Sequence, residues 1–241
     1  MIYHILIHLC VFPCLLISLN TVLLAESEPS QPTKVINCTY ICWDETPNEE
    51  LFFRMGDMYL SMEFMRGKRS NPISVARMDT FQVYRKKNGS EDEAPFYELV
   101  GETLVPKNAK ELLFLIIPPD EQEEKYHVFA LDDSVEVFGR KTFRFVNLTK
   151  QAISLEFANN TQDIYPDADA VIPTKVDKSG GFIPCIMRNP ESKIIFGTRL
   201  FCQPNSREMV LIRTSMRENK NKPRVKFFSQ FVPGADLAED K

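Results

Sequence analysis

Histidine is almost missing from this chain of 241 residues, and its scarcity limits the chemistry available. Only three histidines are present, and two of them, His4 and His8, lie within the first ten residues. A metal site built from a histidine cluster is therefore excluded, and a catalytic triad would have to use His127. His127 lies inside the apolar run Tyr-His-Val-Phe-Ala, where we interpret it as structural.

Familiar catalytic motifs are also missing. The chain has no glycine-rich phosphate loop before a helix, no nucleophile elbow and no zinc-protease helix. The adjacent Asp132 and Asp133 could act as acid and base, although acids at a strand end are more often turn residues. Asp163, Asp167 and Asp169 are spaced like part of a calcium loop that lacks its glycine and terminal glutamate. We therefore predict no catalytic residue, no cofactor and no metal.

An excess of positive charge is lacking as well. The chain has 29 basic and 33 acidic residues, a net charge of -4, which predicts no binding to nucleic acid. The basic loop 66–72 is interpreted as a solvated turn, with an anion contact as the sharper alternative. Glycine is scarce at nine residues against eighteen phenylalanines, and large aromatic side chains favour half-buried sheet faces.

A long apolar run occurs once, at the N-terminus. Residues 1–25 are mostly apolar and polarity changes abruptly at Glu26, which predicts a secretory signal peptide followed by a flexible tether at 26–34. The first residues carry no Lys or Arg, so an uncleaved membrane anchor is the alternative. No later segment reaches the roughly 18 apolar residues of a transmembrane helix. The predicted location is the periplasm, the cell envelope or the extracellular space, with membrane contact only if the segment stays uncleaved.

Export affects the interpretation of the cysteines. After the first 25 residues the chain keeps Cys38, Cys42, Cys185 and Cys202, an even number in an oxidising compartment. Cys38 and Cys42 are too far apart on one strand to bridge easily, which favours long-range disulfides from this pair to Cys185 or Cys202. A zinc site and unpaired buried thiols are the alternatives.

Short apolar or alternating runs between turn signals fill the rest of the chain. Four of them in residues 110–157 predict consecutive antiparallel strands, with 147–150 as a hairpin turn. Residues 112–117 are apolar without interruption, which predicts a strand covered on both faces. Residues 51–64 predict two strands around Met55-Gly56 or a helical methionine stripe. Residues 96–105 predict a strand that bends at Gly101.

These patterns predict an all-β fold, an antiparallel β-sandwich of roughly eight to twelve strands with little helix. The sandwich would span 35–233, with a frayed tail at 234–241. Two sub-domains divided near 105–110 are the alternative. No repeat with a period of 20 to 50 residues is detected.

Residues 95–215 resemble a loose set of uncharacterised exported bacterial proteins. The pieces that carry the resemblance are Tyr97-Glu98-Leu99-Val100, Val105-Pro106, Leu112-Leu113-Phe114-Leu115-Ile116, Phe129-Ala130-Leu131-Asp132-Asp133-Ser134 and Phe143-Arg144-Phe145-Val146-Asn147-Leu148-Thr149. In that set, similar pieces form strands of an immunoglobulin-like sandwich. The resemblance implies this fold and export, and it implies no activity, ligand or catalytic residue.

Together these observations predict an exported non-enzymatic β-sandwich protein with a binding or architectural role. Its partner would be an envelope protein or a polysaccharide. The alternative is a carboxylate-based hydrolase acting on envelope carbohydrate or peptide, which needs two acids in a cleft about 5–10 Å apart.

Overall fold

The computed structural model describes residues 34–43, 47–88, 95–119, 123–214 and 223–232. Within these ranges the chain forms sixteen β-strands and no helix, which confirms an all-β fold with more strands than predicted. In this part of the chain no helix could therefore cross a membrane. The predicted signal peptide, residues 26–33 of the tether and the predicted frayed tail lie outside the described residues.

The first eight strands form what we call the first repeat. They are β1 (Val35–Cys42), β2 (Leu51–Met55), β3 (Met58–Ser61), β4 (Ile73–Ala76), β5 (Thr80–Lys87), β6 (Phe96–Leu104), β7 (Glu111–Ile117) and β8 (His127–Asp132). Strands β3-β2-β5-β6 form one four-stranded sheet, outer sheet 1, and strands β4-β1-β7-β8 form another, inner sheet 1.

The next eight strands form the second repeat. They are β9 (Thr142–Leu148), β10 (Ile153–Phe157), β11 (Asn160–Ile164), β12 (Asp169–Pro173), β13 (Gly181–Arg188), β14 (Ile194–Cys202), β15 (Ser206–Thr214) and β16 (Pro223–Phe231). Strands β12-β9-β15-β16 form inner sheet 2, and strands β11-β10-β13-β14 form outer sheet 2.

The two repeats have the same topology. Adding eight to each strand number of the first repeat gives the strand order of the second, in both sheets. The pairing directions agree too, because β1 pairs with β7 in parallel and β9 pairs with β15 in parallel, while the other ladders are antiparallel. The described part of the chain is therefore a structural duplication with a period of about one hundred residues. This period is longer than the 20 to 50 residues over which the sequence shows no repeat.

Three hydrophobic clusters separate the four sheets. One cluster joins outer sheet 1 to inner sheet 1, a second joins the two inner sheets, and a third joins inner sheet 2 to outer sheet 2. Strand β7 shows the reason for this layering, since Leu112 and Phe114 enter the first cluster and Leu113 and Leu115 enter the second. The prediction that this apolar strand is covered on both faces is confirmed.

Two details of the predicted topology are wrong. The sheets are not purely antiparallel, because each inner sheet contains one parallel pair between strands far apart in sequence. Residues 147–150 do not form a hairpin, because β9 lies in inner sheet 2 and β10 lies in outer sheet 2. The Asn147 side chain stabilises this change of sheet, since its amide donates to the carbonyls of Gln151 and Ile164, at 2.8 Å each.

Two local predictions are confirmed. Strands β2 and β3 form a hairpin around Gly56, which has a positive φ of 61°. Strand β6 shifts register beside Gly101, where a Cβ would lie 2.8 Å from Val128 Cγ2 and 2.9 Å from the Tyr126 carbonyl. Glycine is needed at this position because β8 passes directly against β6.

Candidate functional site

A buried group of charges lies where the two repeats meet. Asp133, just after β8, is 4% exposed and accepts a hydrogen bond from Arg207 Nη2 at 2.7 Å. Arg207 Nη1 also donates to the backbone carbonyls of Asp133 and Phe138. Arg69 of the basic loop donates to the same Asp133 carboxylate. The interpretation of that loop as a fully solvated turn is wrong at Arg69, whose side chain is 14% exposed.

Arg144 completes this group, which we call the junction cluster (Arg69, Asp133, Phe138, Arg144, Asp169 and Arg207). Arg144 is 2% exposed, donates to the Asp132 carbonyl and lies 3.1 Å from Asp169 Oδ2. The Arg144 and Arg207 guanidiniums both contact the Phe138 ring, at 4.7 and 4.9 Å from its centroid. Burial lowers the pKa of both arginines, and the neighbouring aspartates act in the opposite direction.

The junction cluster links the two repeats. Asp133 and Arg69 come from the first repeat, and Arg144 and Arg207 lie on β9 and β15 of the second. Charges this deeply buried need partners, and these residues supply them across the junction. Asp133 Oδ1 and Arg144 Nη1 have no hydrogen-bond partner among the described residues.

The acidic residues considered in the sequence are dispersed. Asp132 Oδ1 accepts hydrogen bonds from the amide and hydroxyl of Ser134, an ordinary turn arrangement. Asp169 faces Arg144, and no group of three potential metal ligands occurs in the part of the chain that is described. His127 is exposed on β8, with Nε2 2.7 Å from Glu123 Oε2.

The four cysteines are buried thiols, and none of them forms a disulfide with another described cysteine. Cys38 lies in the cluster of the first repeat, whereas Cys185 and Cys202 lie in that of the second. The predicted long-range disulfide is therefore not formed in this structure, because inner sheets 1 and 2 lie between these clusters. Cys185 pairs with Thr198 rather than with Cys202, and Cys42 stands four residues from Cys38 on β1. Burial raises the pKa of Cys38 and of Cys185 to about 12.

A groove of about 900 Å³ opens on outer sheet 2. It lies at a notch in the sheet, because the register of β13 with β10 ends at Cys185 and Phe157 while β13 continues to Gly181. Strand β10 turns there into β11 through Ala158 and Asn159, both with positive φ, as in a type I′ turn. The lining side chains include Glu156, Asn160, Thr161, Lys175, Phe182 and Ile186.

Apolar side chains are exposed beside the notch. Phe182 and Phe201 are paired across β13 and β14, with exposures of 69% and 42% and ring centroids 5.0 Å apart. The Glu156 carboxylate is paired with Arg188 at 2.9 Å. Lys175 is exposed at the rim of the groove. The groove thus combines apolar and polar side chains, with Glu156 neutralised by Arg188 and Lys175 adding a positive charge at the rim, and the sequence pattern did not reveal it.

The same face of the first repeat is covered by the chain itself. On outer sheet 1 the Tyr59 and Tyr97 rings stack 3.9 Å apart, and they contact Tyr84 and Phe52 edge to face. Phe52 and Tyr84 are each only 7% exposed as a result. Outer sheet 2 therefore differs from its counterpart in lacking this tyrosine cover, although Phe96 and Leu104 on β6 of outer sheet 1 are exposed as well.

No protein-family model matches this chain, and no curated protein matches it either.

Proposed function

We propose that this chain is an exported, non-enzymatic binding protein that holds a segment of a partner protein in the groove of outer sheet 2. The observation that carries the proposal is the exposed Phe182–Phe201 pair beside the notch, on a face that the first repeat covers in part with its own tyrosines. Exposed apolar patches rimmed by polar side chains are typical of interaction sites. The cell envelope or the extracellular space is the proposed location, in line with the N-terminal sequence.

The chemistry of the surface favours a protein over a polysaccharide. Phe182 and Phe201 are tilted by 55° to each other, so they do not form the flat aromatic platform on which successive sugar rings stack. Ile186 and Pro184 add aliphatic surface without hydrogen-bonding groups. Aromatic side chains are enriched at the centres of protein interfaces.

The immunoglobulin-like form of the fold is part of the same proposal. Its support is that each repeat has two four-stranded sheets around one hydrophobic cluster, as a β-sandwich does, and that residues 95–215 resemble exported sandwich proteins. The parallel pairing of the first and seventh strands departs from a purely antiparallel sandwich.

Site-specific photo-crosslinking tests the proposed function. Benzoylphenylalanine would replace Phe182 in one preparation and Phe96, an exposed aromatic side chain of β6, in the matched control. After illumination with envelope material from the source organism, a protease-sensitive adduct is expected for position 182 and not for position 96. An adduct removed only by glycosidases would indicate a polysaccharide, and equal adducts at both positions, or none, would contradict the groove assignment.

The carboxylate-based hydrolase stays an alternative prediction. Of the acids considered for it, Asp133 is paired with two arginines and Asp132 caps a turn, so no contact in the structure favours it.

A further inference from the structure

On the solvent-facing side of outer sheet 2, one row of four paired residues has short side chains at both ends. Thr161, Glu156, Ile186 and Gly197 form one row across strands β11, β10, β13 and β14. Their backbones are neighbours in the sheet, so a ligand lying along the row would contact all four strands. The row leads into the groove, which Thr161, Glu156 and Ile186 also line.

Thr161 takes the position that a tyrosine has in the first repeat. In the β2–β3 hairpin, Tyr59 pairs with Arg54 in the second pair from the turn. In the β10–β11 hairpin, Thr161 pairs with Glu156 in the same second pair. The ring that contacts Tyr84 and Tyr97 on outer sheet 1 is thus replaced by a short polar side chain on outer sheet 2, where the neighbouring Ile186 is half-buried.

Gly197, at the other end of the row, is not required by the backbone. Its φ is not positive, and a Cβ built there would meet only Ile194 Cγ2, at an ordinary 3.8 Å. A glycine inside a strand lowers stability relative to alanine by about 0.5–1 kcal/mol. A glycine in a strand often marks a bulge or a place where a ligand approaches closely, and the register shift of β13 with β14 begins one pair further along, after Met187 and Phe196.

We infer that outer sheet 2 binds an extended segment of a partner protein through an aromatic side chain that lies over Ile186, between Thr161 and Gly197. This inference rests on the proposed function and specifies its ligand. The first repeat supplies a partial precedent, since the Tyr59 and Tyr97 rings lie over Tyr84 and Phe52 on the corresponding face. The partner segment carries an acidic residue next to the aromatic one, because Lys175 adds a positive charge at the rim while Glu156 is already paired with Arg188.

Defined peptides test this inference. The probe is the blocked hexapeptide Ser-Thr-Trp-Thr-Asp-Ser, with Ala-for-Trp and Lys-for-Asp versions as controls. Each peptide is titrated into the isotope-labelled full-length protein, and binding is followed by amide NMR shifts. Saturable shifts are expected at Ile186 and Gly197, and replacing Trp by Ala should weaken binding by about tenfold or more. No binding of the Trp peptide up to about 1 mM, or equal binding of the Ala peptide, would overturn the inference.

Variants of the chain give the decisive comparison. Gly197→Val fills the gap and Thr161→Tyr supplies an internal cover, so each should weaken the Trp peptide by about tenfold or more while the chain stays folded. Thr198→Val is the matched control, since it changes the same strand on the opposite face and should bind as the wild type does. Lys175→Glu should weaken the Asp peptide and favour the Lys peptide. Unchanged binding to Gly197→Val would refute the position of the ring.

Photo-crosslinking and peptide binding test the proposed function and the proposed aromatic ligand separately. If photo-crosslinking at position 182 captures a protein but the Trp peptide does not bind, the aromatic ligand is wrong and the proposed function stands. If neither experiment gives a signal, both are wrong. Shifts of the same amides by chitohexaose, without shifts by the Trp peptide, would assign the face to a glycan and overturn the inference.

Discussion

Replacing Asp133 by asparagine removes the central charge of the junction cluster without changing the size of the side chain. The carboxylate accepts from Arg207 at 2.7 Å and from Arg69, and its side chain is 6% exposed. The amide of the variant would keep one acceptor oxygen but would leave two buried or half-buried guanidiniums without their counter-charge. The change therefore tests whether this cluster holds the two repeats together.

The expected cost follows from the number of bonds lost. A hydrogen bond to a charged group contributes about 1.5–3 kcal/mol, and two of them are weakened here. Breaking a buried ion pair by removing one partner typically costs about 3–5 kcal/mol, and the two estimates agree. Since a folded domain is stable by only about 5–15 kcal/mol, Asp133→Asn should remove a large share of the unfolding free energy.

Urea unfolding followed by tryptophan fluorescence is a suitable assay, because Trp43, the only tryptophan of the chain, is buried in the cluster between the inner sheets. The matched control is Glu136→Gln, the same chemical change in the exposed ion pair with Lys110. The control should leave the midpoint unchanged. A midpoint for Asp133→Asn equal to that of the control would refute the idea that the junction cluster stabilises the fold.

Three further predictions concern other positions. Gly101→Ala should cost about 1–3 kcal/mol in urea unfolding, because its Cβ would meet Val128 and the backbone; wild-type stability would show that β8 can move away. Because burial raises the pKa of Cys38 and Cys185 to about 12 and an unfolded thiol ionises near pH 8.5, the unfolded state loses these protons first. Stability should thus be full below about pH 8.5 and fall as the pH rises towards 12, and a double alanine variant should show a shallower fall; equal slopes would argue against this linkage. Asn147→Leu should lower the free energy of unfolding by about 2 kcal/mol or more in thermal unfolding, because it leaves the carbonyls of Gln151 and Ile164 without their donor. A loss below about 0.5 kcal/mol would mean that water replaces the side-chain amide.

The strands were predictable because their signals are local. The uninterrupted run 112–117, the turn at Gly56 and the bend at Gly101 each depend on a few neighbouring residues. The parallel pairing of β1 with β7 was not predictable, since it joins residues more than 70 positions apart and leaves no periodic mark in either strand. The alternation in β9 did place Arg144 opposite Phe143 and Phe145, but the sequence alone could not show that a second sheet buries that side.

The candidate site lay beyond sequence reasoning for a related reason. Thr161 is an ordinary strand residue by itself, and only the comparison with Tyr59 in the equivalent hairpin of the other repeat makes it noticeable. Gly197 likewise becomes noticeable only because the sheet places it in the same row as Thr161. That equivalence is a matter of strand order, because the two hairpins have different side chains. The cysteines illustrate the opposite case, in which an even number indicated disulfides and burial in separate clusters kept them apart.

The order of the four sheets also fixes the distance between the two outer sheets. Packed sheets lie about 10 Å apart, so the three gaps between outer sheet 1 and outer sheet 2 add up to about 30 Å. Ion pairs and apolar side chains fill the gap between the repeats, so this distance cannot change by hinge bending without exposing buried charge. A partner held on outer sheet 2, as proposed, would therefore lie about 30 Å from outer sheet 1.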